Sequence, residues 1–403
     1  MNINKLQPIF TTLQKHNITP IIVGGWVRDM LLGIESKDID IELYNVNNFA
    51  KLEEILQKFG SCNIVGKQFG VLKLTFQNLE LDFSLPRTES KIGIGHKGFS
   101  VTTYKQISFK EAALRRDFTI NAMGYNPLTK ELLDPFGGKK DLENKTIQIV
   151  NKKTFVEDPL RVLRGVGFCV RLKFKASTEF IHIAQTMVQQ NMLQELPKER
   201  IFEELKKVFL KANNFTTLLP LARAITLKHF FHSFKCEKLQ YKKLLYALKN
   251  ANKLNKEQFS IFLALLLHQC SKKKREIFFN QISNQTKLLL HVEKLLQHKP
   301  KQNYTTYELY TLAQEVILEE LFLLFTLTDA KNKTLYKEFA KQAKQLGILK
   351  KKLPPIIEGK DLLKLGLKPS KEFKIILEKC YEAQKKGVIH TKEEGVEFVK
   401  SFV

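Results

Sequence analysis

The stretch IIVGGWVRDMLLGIESKDIDIELY, residues 21–44, decides how the chain is read. Its branched apolar opening, Ile21, Ile22 and Val23, predicts a short buried strand. Gly24 and Gly25 then permit a tight turn and let backbone N–H groups come close to a ligand. Residues 26–32 have helical spacing, with Val27, Met30 and Leu31 on one side and Arg28 and Asp29 on the other, and Gly33 supplies the stop. A strand, a glycine pair and a helix with arginine in its first turn make a phosphate cradle, because helix N-termini attract anions.

The end of the stretch alternates polar and apolar residues, so a strand there carries Asp38, Asp40 and Glu42 on one face. Same-face neighbours stand roughly 7 Å apart. Rotamers can close that gap around a divalent cation, which also relieves the repulsion between the carboxylates. Alone, D-x-D reads equally well as an ordinary half-exposed strand; the glycine turn upstream favours the metal. Residues 49–59 predict an amphipathic helix, and residues 70–76 and 79–85 predict strands joined at Gln77-Asn78. Asp82, on the polar face of the second strand, could complete the site with Asp38 and Asp40.

Residues 86–100 hold Pro86, three glycines and several cations, and read as a mobile loop closing over anions or as a plain surface loop. In EAALRRDFTIN, residues 111–121, two adjacent arginines suit a triphosphate, and Asp117 can orient one of them or accept from a ribose hydroxyl. As a helix-surface ion cluster the same string would be commonplace. Asp134 to Gly138 is turn chemistry that separates the strand-containing part from a helical remainder. There, Asp158 suits an N-cap and Pro159 the first helical position. Leu160, Leu163, Val166 and Val170 share one stripe. Asp158 and Arg161, at i,i+3, can hold each other and present one acceptor and several donors to a base edge. Such an edge suits cytosine and adenine and mismatches guanine and uracil, at roughly 1–3 kcal/mol per bidentate contact; a capped helix with an intrahelical salt bridge is the plainer alternative. Arg200 and Glu203 repeat the i,i+3 relation in a helix over residues 197–209.

The formal charge is +25 over 403 residues, unevenly placed: residues 1–150 net +3, residues 151–403 net +22. A near-neutral front and a basic back suggest chemistry in one half and polyanion holding in the other, although abundant Asn and Ile also fit a codon bias that enriches lysine. Cys62, Cys169, Cys236, Cys270 and Cys380 show no C-x-x-C spacing, which gives no sign of a zinc site or disulfide framework. The N-terminus lacks a signal pattern. The apolar runs at 261–267 and 321–325 are too short to span a bilayer, so a cytoplasmic protein is expected.

Together the motifs resemble the class II nucleotidyltransferases, the CCA-adding enzymes and bacterial poly(A) polymerases. The matching strings are GGWVRDMLLG at 24–33, DID at 38–40, LRRDFTINAMGYN at 114–126, DPFGGKKDL at 134–142, EDPLRVLRGVGF at 157–168 and LPKERIFEEL at 196–205. The likeness is dense over residues 20–210, thin afterwards, and returns near the end. It implies an α+β chain: a polymerase-β-like head with a small antiparallel sheet over residues 1–140, then an all-helical neck (141–212), body (213–352) and tRNA-binding tail (353–403). By position it implies Asp38 and Asp40 as ligands of two catalytic Mg²⁺ ions and Asp82 as a third catalytic carboxylate, where relatives often carry Glu. Gly24, Gly25, Arg28 and Asp29 fall in the triphosphate turn, and Arg116 and Asp117 at the incoming nucleotide. Asp158 and Arg161 become an amino-acid template reading C or A, with Arg164 beside them. The implied function is template-independent addition of C and A to the 3′ end of tRNA from CTP and ATP. Residues 65–76 look more like the CCA-adding branch, since they lack the Arg-Phe-Arg-rich run of the poly(A) branch; poly(A) polymerases and CC- or A-adding enzymes are the alternatives. A non-catalytic RNA-binding protein on the same scaffold is the alternative of another class. No obligate protein partner or membrane role is evident. His268 is followed by Gln269, and without a His-Asp pair no phosphohydrolase activity is expected.

Overall fold

The computed structural model describes residues 3–36, 38–65, 71–77, 79–91, 99–103, 107–212, 214–235 and 237–402. It divides into two compact units, Met1–Cys236 with Lys272–Asn284, and Glu237–Ser271 with Gln285–Val403.

The first unit opens with α1 (Gln7–Lys15), β1 (Thr19–Val23), α2 (Gly25–Leu31) and β2 (Ile39–Tyr44), so the deciding stretch folds as strand, turn, helix and strand. Gly24 makes the turn at φ +73°, and Gly33 ends α2 at φ +67°, both in the left-handed region where glycine is unstrained. The buried face of α2 differs from the predicted one: Trp26, Val27 and Arg28 point inward, while Leu31 is 37% exposed. Arg28 is tolerated inside because its guanidinium is fully partnered, as described below.

The elements α3 (Phe49–Gln57), β3 (Ser61–Val65), β4 (Val71–Phe76) and β5 (Leu79–Ser84) follow. Asn48 caps α3 by accepting from the Ala50 and Lys51 amides, and Leu52, Ile55 and Leu56 bury its inner face. Strands β6 (Arg87–Lys91) and β7 (Phe99–Thr103) form a separate antiparallel pair where a loop is expected, and residues 92–98 lie outside the described residues, as does Asn78 of the expected turn. Then come α4 (Phe109–Ala113), β8 (Gly124–Tyr125), β9 (Leu132–Leu133), α5 (Gly138–Glu143), β10 (Thr146–Ile147), α6 (Lys152–Phe155), α7 (Leu160–Leu172), β11 (Lys175–Ala176), α8 (Thr178–Gln189), α9 (Lys198–Lys211) and α10 (Leu218–Ala224).

The main sheet runs β3-β4-β5-β2-β1-β8-β9. Every junction is antiparallel except β2 with β5, which is parallel and sets Asp40 opposite Asp82. That one junction makes the sheet mixed where an all-antiparallel sheet is expected. Phe118 sits at the centre of an edge-to-face cluster with Phe155, Phe168 and Phe180, at centroid distances of 5.5–5.6 Å. This cluster pins the segment after Asp117 against α6, α7 and α8. Gly165 lets it close: a Cβ there would fall 2.3 Å from the Phe180 ring. Asp134 does more than mark a boundary, since its carboxylate accepts from the Gly138 and Lys139 amides and starts α5.

The first unit also holds α13 (Lys272–Ile282), and the second contains helices and no strand among its described residues. Its helices are α11 (Lys238–Asn250), α12 (Phe259–Leu267), α14 (Thr286–Gln297), α15 (Thr306–Glu315), α16 (Leu318–Thr328), α17 (Lys333–Gln345), α18 (Gly359–Lys364), α19 (Lys371–Lys385) and α20 (Lys392–Lys400). Helix α12 is apolar all round and wholly buried. The last three helices enclose a small core of Ile357, Leu362, Cys380, Ala383, Ile389 and Val399. No described helix is long and apolar enough to cross a membrane.

Candidate active site

Strand β2 and the β1–α2 turn bring Asp40 and Gly24 together. A Cβ on Gly24 would lie 3.6 Å from Asp40 Oδ2 and 3.1 Å from Arg116 Nη1, so the turn backbone sits directly against both side chains. Asp40 is exposed at its side chain's end of the strand, Asp38 precedes the strand and is exposed, and Glu42 is 1% exposed. The expected acidic face is thus split by burial. Glu42 Oε1 accepts from Arg116 Nη2 at 2.8 Å and from Arg115 Nη2 at 3.3 Å, and Glu42 Oε2 accepts from the Tyr44 hydroxyl at 3.0 Å. Burial opposes ionisation of Glu42, but the two guanidiniums outweigh it and its pKa falls. Asp40 goes the other way. Partial desolvation of its carboxyl raises its pKa, Arg116 opposes, and Asp82, Asp38 and Glu42 add to the rise.

Asp82 is the register partner of Asp40, yet its carboxylate pairs with Lys73 at 3.4 Å. Among the described residues no three His, Cys, Asp or Glu side chains converge closely enough to hold a metal. Asp38 and Asp82 therefore act on Asp40 without the three forming a preassembled trio.

A cavity of about 300 Å³ is lined by Gly24, Gly25, Arg28, Asp40, Arg115, Arg116, Asp117, Asn121, Asp158, Arg161, Arg164, Phe168 and Arg200. Of the residues singled out from sequence, it gathers Gly24, Gly25, Arg28, Asp40, Arg116, Asp117, Asp158, Arg161 and Arg164. Asp29, Asp38 and Asp82 are not in its wall. Asp29 stands behind Arg28, accepting from Nε at 2.8 Å and Nη2 at 2.7 Å, while Arg28 Nη1 donates to Asn121 at 2.7 Å. Asp117 is buried and saturated. One oxygen accepts from the Phe118 amide and Asn121, and the other from Arg164 at 2.7–2.8 Å. Burial pushes its pKa up, but Arg164 and Asn121 prevail and hold it low. Asp117 thus anchors Arg164 and has no free oxygen for a ribose hydroxyl.

The expected Asp158–Arg161 pair does not form. Asp158 accepts from Arg200 at 3.0 and 3.4 Å and from the Leu160 amide at 3.1 Å, while Arg161 donates to the Thr154 and Arg115 carbonyls at 2.7 and 2.6 Å. Spacing put the two on one face but could not show that α9, packed along α7, delivers a competing cation. Asp158 also lies just before the helix, which begins at Leu160, with Pro159 as its flank. Asn121, Phe168 and Arg200 are the wall residues to which sequence reading gave no role at a nucleotide, whereas Arg115 is one of the two adjacent arginines it matched to a triphosphate. Arg115 and Asn121 lie within the quoted LRRDFTIN string, and Arg200 within LPKERIFEEL, but their partners depend on tertiary packing.

Residues 21–148 match the poly(A) polymerase head domain. Over 363 residues the chain is 28% identical to the A-adding tRNA nucleotidyltransferase of Aquifex aeolicus, covering 85% of this chain and 43% of that protein. It is 32% identical to the CCA-adding enzyme of Buchnera aphidicola over 64% of this chain and 58% of that one. The chain thus spans about half the length of these relatives. The Bacillus stearothermophilus CCA-adding enzyme in complex with CTP shares the fold at a TM-score of 0.77 and 21% identity, covering 100% of this chain and 98% of that one. Residues 21–148 thus carry the likeness to a poly(A) polymerase head domain, and the chain is similar to A-adding and CCA-adding tRNA nucleotidyltransferases.

Proposed function

We propose that this chain is a template-independent nucleotidyltransferase that adds C and A residues to the 3′ end of tRNA from CTP and ATP and releases pyrophosphate. One observation carries the reading. A single cavity is walled on one side by the glycine turn and Asp40, and on the other by Asp158, Arg161 and Arg164 of the α7 region. Its wall holds six arginines against three aspartates, the balance a nucleoside triphosphate calls for.

The donor chemistry fits Mg²⁺: Asp38 and Asp40 offer hard carboxylate oxygens, and the Asp40 pKa is raised by desolvation and then by neighbouring acids, a repulsion that a cation relieves. These two would hold the ions, two in number, with Asp82 as a third carboxylate close by. When bound, the ions lower the pKa of the attacking 3′-hydroxyl and offset charge on the leaving pyrophosphate. The protein's own groups position the reactants. Glu42 fixes Arg116, and Asp117 fixes Arg164, so both guanidiniums meet the nucleotide without reorganising. Gly24, Gly25, Arg28 and Asp29 shape the triphosphate turn. Asp158 accepts from the amino group of C or A and Arg161 donates to the ring nitrogen, each exchanging its present partner for the base. Residues 1–140 act as catalytic head, 141–212 as base-reading neck, 213–352 as body and 353–403 as tail, with the basic residues of the last three gripping tRNA phosphates.

The test is the purified protein with tRNA ending before CCA. CTP alone should add two residues, CTP with ATP three, and GTP or UTP none; a long A tail or no extension contradicts the reading. The similarity to the Aquifex A-adding protein over 85% of the chain favours one second reading, addition of the terminal A alone. In that case only tRNA already ending in CC is extended. Any nucleotide-dependent extension excludes a purely RNA-binding role.

A further inference from the structure

Arg171 lies two turns after Arg164 on α7, and its guanidinium carbon stands 4.6 Å from the Phe168 ring centroid. Arg28 and Arg164 approach the same ring at 5.2 and 5.8 Å. Any two of the three cations are therefore at most about 11 Å apart, gathered around one aromatic ring.

Two of these cations are balanced, Arg28 by Asp29 and Arg164 by Asp117. Arg171 has no hydrogen bond or ion pair among the described residues. The acids that act on it from a distance, Glu204 and Asp29, are engaged by Lys207 and Arg28. Burial, then Arg28, push the Arg171 pKa down; Glu204 gives partial relief, Arg164 adds to the fall, and the result is about 10. The cluster thus carries positive charge without a counterion beside a cavity whose wall includes Arg28, Arg164 and Phe168. Arg28 also borders the glycine turn, since a Cβ on Gly25 would lie 3.5 Å from its Nη2.

We propose that Arg171 is a positioning residue for the phosphate chain of the nucleotide: beside the Phe168 ring it supplies the uncompensated charge that draws a polyphosphate toward Arg28 and the glycine turn. This rests on the nucleotide-binding reading above and names a residue outside the cavity wall. Because Arg171 acts through space, its effect grows with the charge of the ligand, which a packing role would not produce.

The experiment measures binding of orthophosphate, pyrophosphate, tripolyphosphate and ATP to the full chain in EDTA, for wild type, R171M and R171K. R171M should bind tripolyphosphate and ATP about tenfold more weakly, pyrophosphate less so and orthophosphate hardly differently. R171K, which keeps the charge, should return to within about twofold of wild type. Equal tripolyphosphate affinity in R171M and wild type overturns the proposal, as does an equal loss for every ligand that R171K fails to rescue. A wild-type protein that binds neither ATP nor tripolyphosphate removes the nucleotide-binding reading itself, and this proposal with it.

Discussion

Replacing Glu42 with Gln probes the electrostatic centre of the site without changing its shape. Glu42 is 1% exposed and accepts from two arginines that are 16% and 20% exposed. Removing one partner from a fully buried ion pair costs about 3–5 kcal/mol, because a charge is left uncompensated. Partial exposure of Arg115 and Arg116 lets water take up some of that charge, which reduces the expected loss to about 2–3 kcal/mol. For a cooperative unit of this size that corresponds to roughly 4–12 °C in Tm. The sign of the pH dependence follows from the lowered Glu42 pKa. Its contribution is present above the unfolded-state value and is lost as pH falls through the folded one. The Tm difference between wild type and E42Q should therefore be full near neutrality and shrink on acidification below about pH 4. Thermal unfolding across pH, with R116M and the E42Q/R116M double variant, completes the cycle. The double variant should be less destabilised than the sum of the singles. A Tm loss for E42Q that corresponds to less than 0.5 kcal/mol, or a difference that widens on acidification, would refute the reasoning.

Other perturbations test other parts of the structure. Gly165→Ala places a methyl 2.3 Å from the Phe180 ring and 2.8 Å from Phe118, so it should cost about 1–3 kcal/mol in urea unfolding; an unchanged midpoint would show that the aromatic cluster is looser than described. Asp158→Ala removes the acceptor that the base's amino group would meet, and correct-over-incorrect nucleotide discrimination should fall by about tenfold in competition assays. Selectivity equal to wild type would remove Asp158 from base reading. Binding of tRNA should weaken linearly in log Kd against log salt, by about 0.7–0.9 per phosphate contact, and a flat plot would argue against phosphate contacts by the basic residues of 151–403.

Much of this arrangement is legible in residues 21–44. The glycine turn at Gly24 and the alternation that ends in Asp40 follow from backbone sterics and the two-residue period of a strand, both local properties. Burial is not local. Glu42 shares a face with Asp40, but sequence cannot show that Arg115 and Arg116 fold over one carboxylate and leave the other open. Arg28 fails the amphipathic pattern for the same reason, because Asn121 and Asp29 make its interior position tolerable. The expected Asp158–Arg161 pair rests on helical spacing alone, and a cation from α9, some forty residues later, takes Asp158 instead. The parallel β2–β5 junction is likewise invisible locally, since each strand's pattern is the same in either direction.

The most direct measurement is single-turnover incorporation of one labelled nucleotide by wild type and Asp40→Asn, with ATP binding measured alongside. Incorporation should fall by about a hundredfold to a thousandfold, by analogy with the loss on removing a single charge-stabilising group, while ATP affinity stays within a few-fold. Incorporation by Asp40→Asn at a rate near wild type would contradict the assignment of the chemistry to this carboxylate.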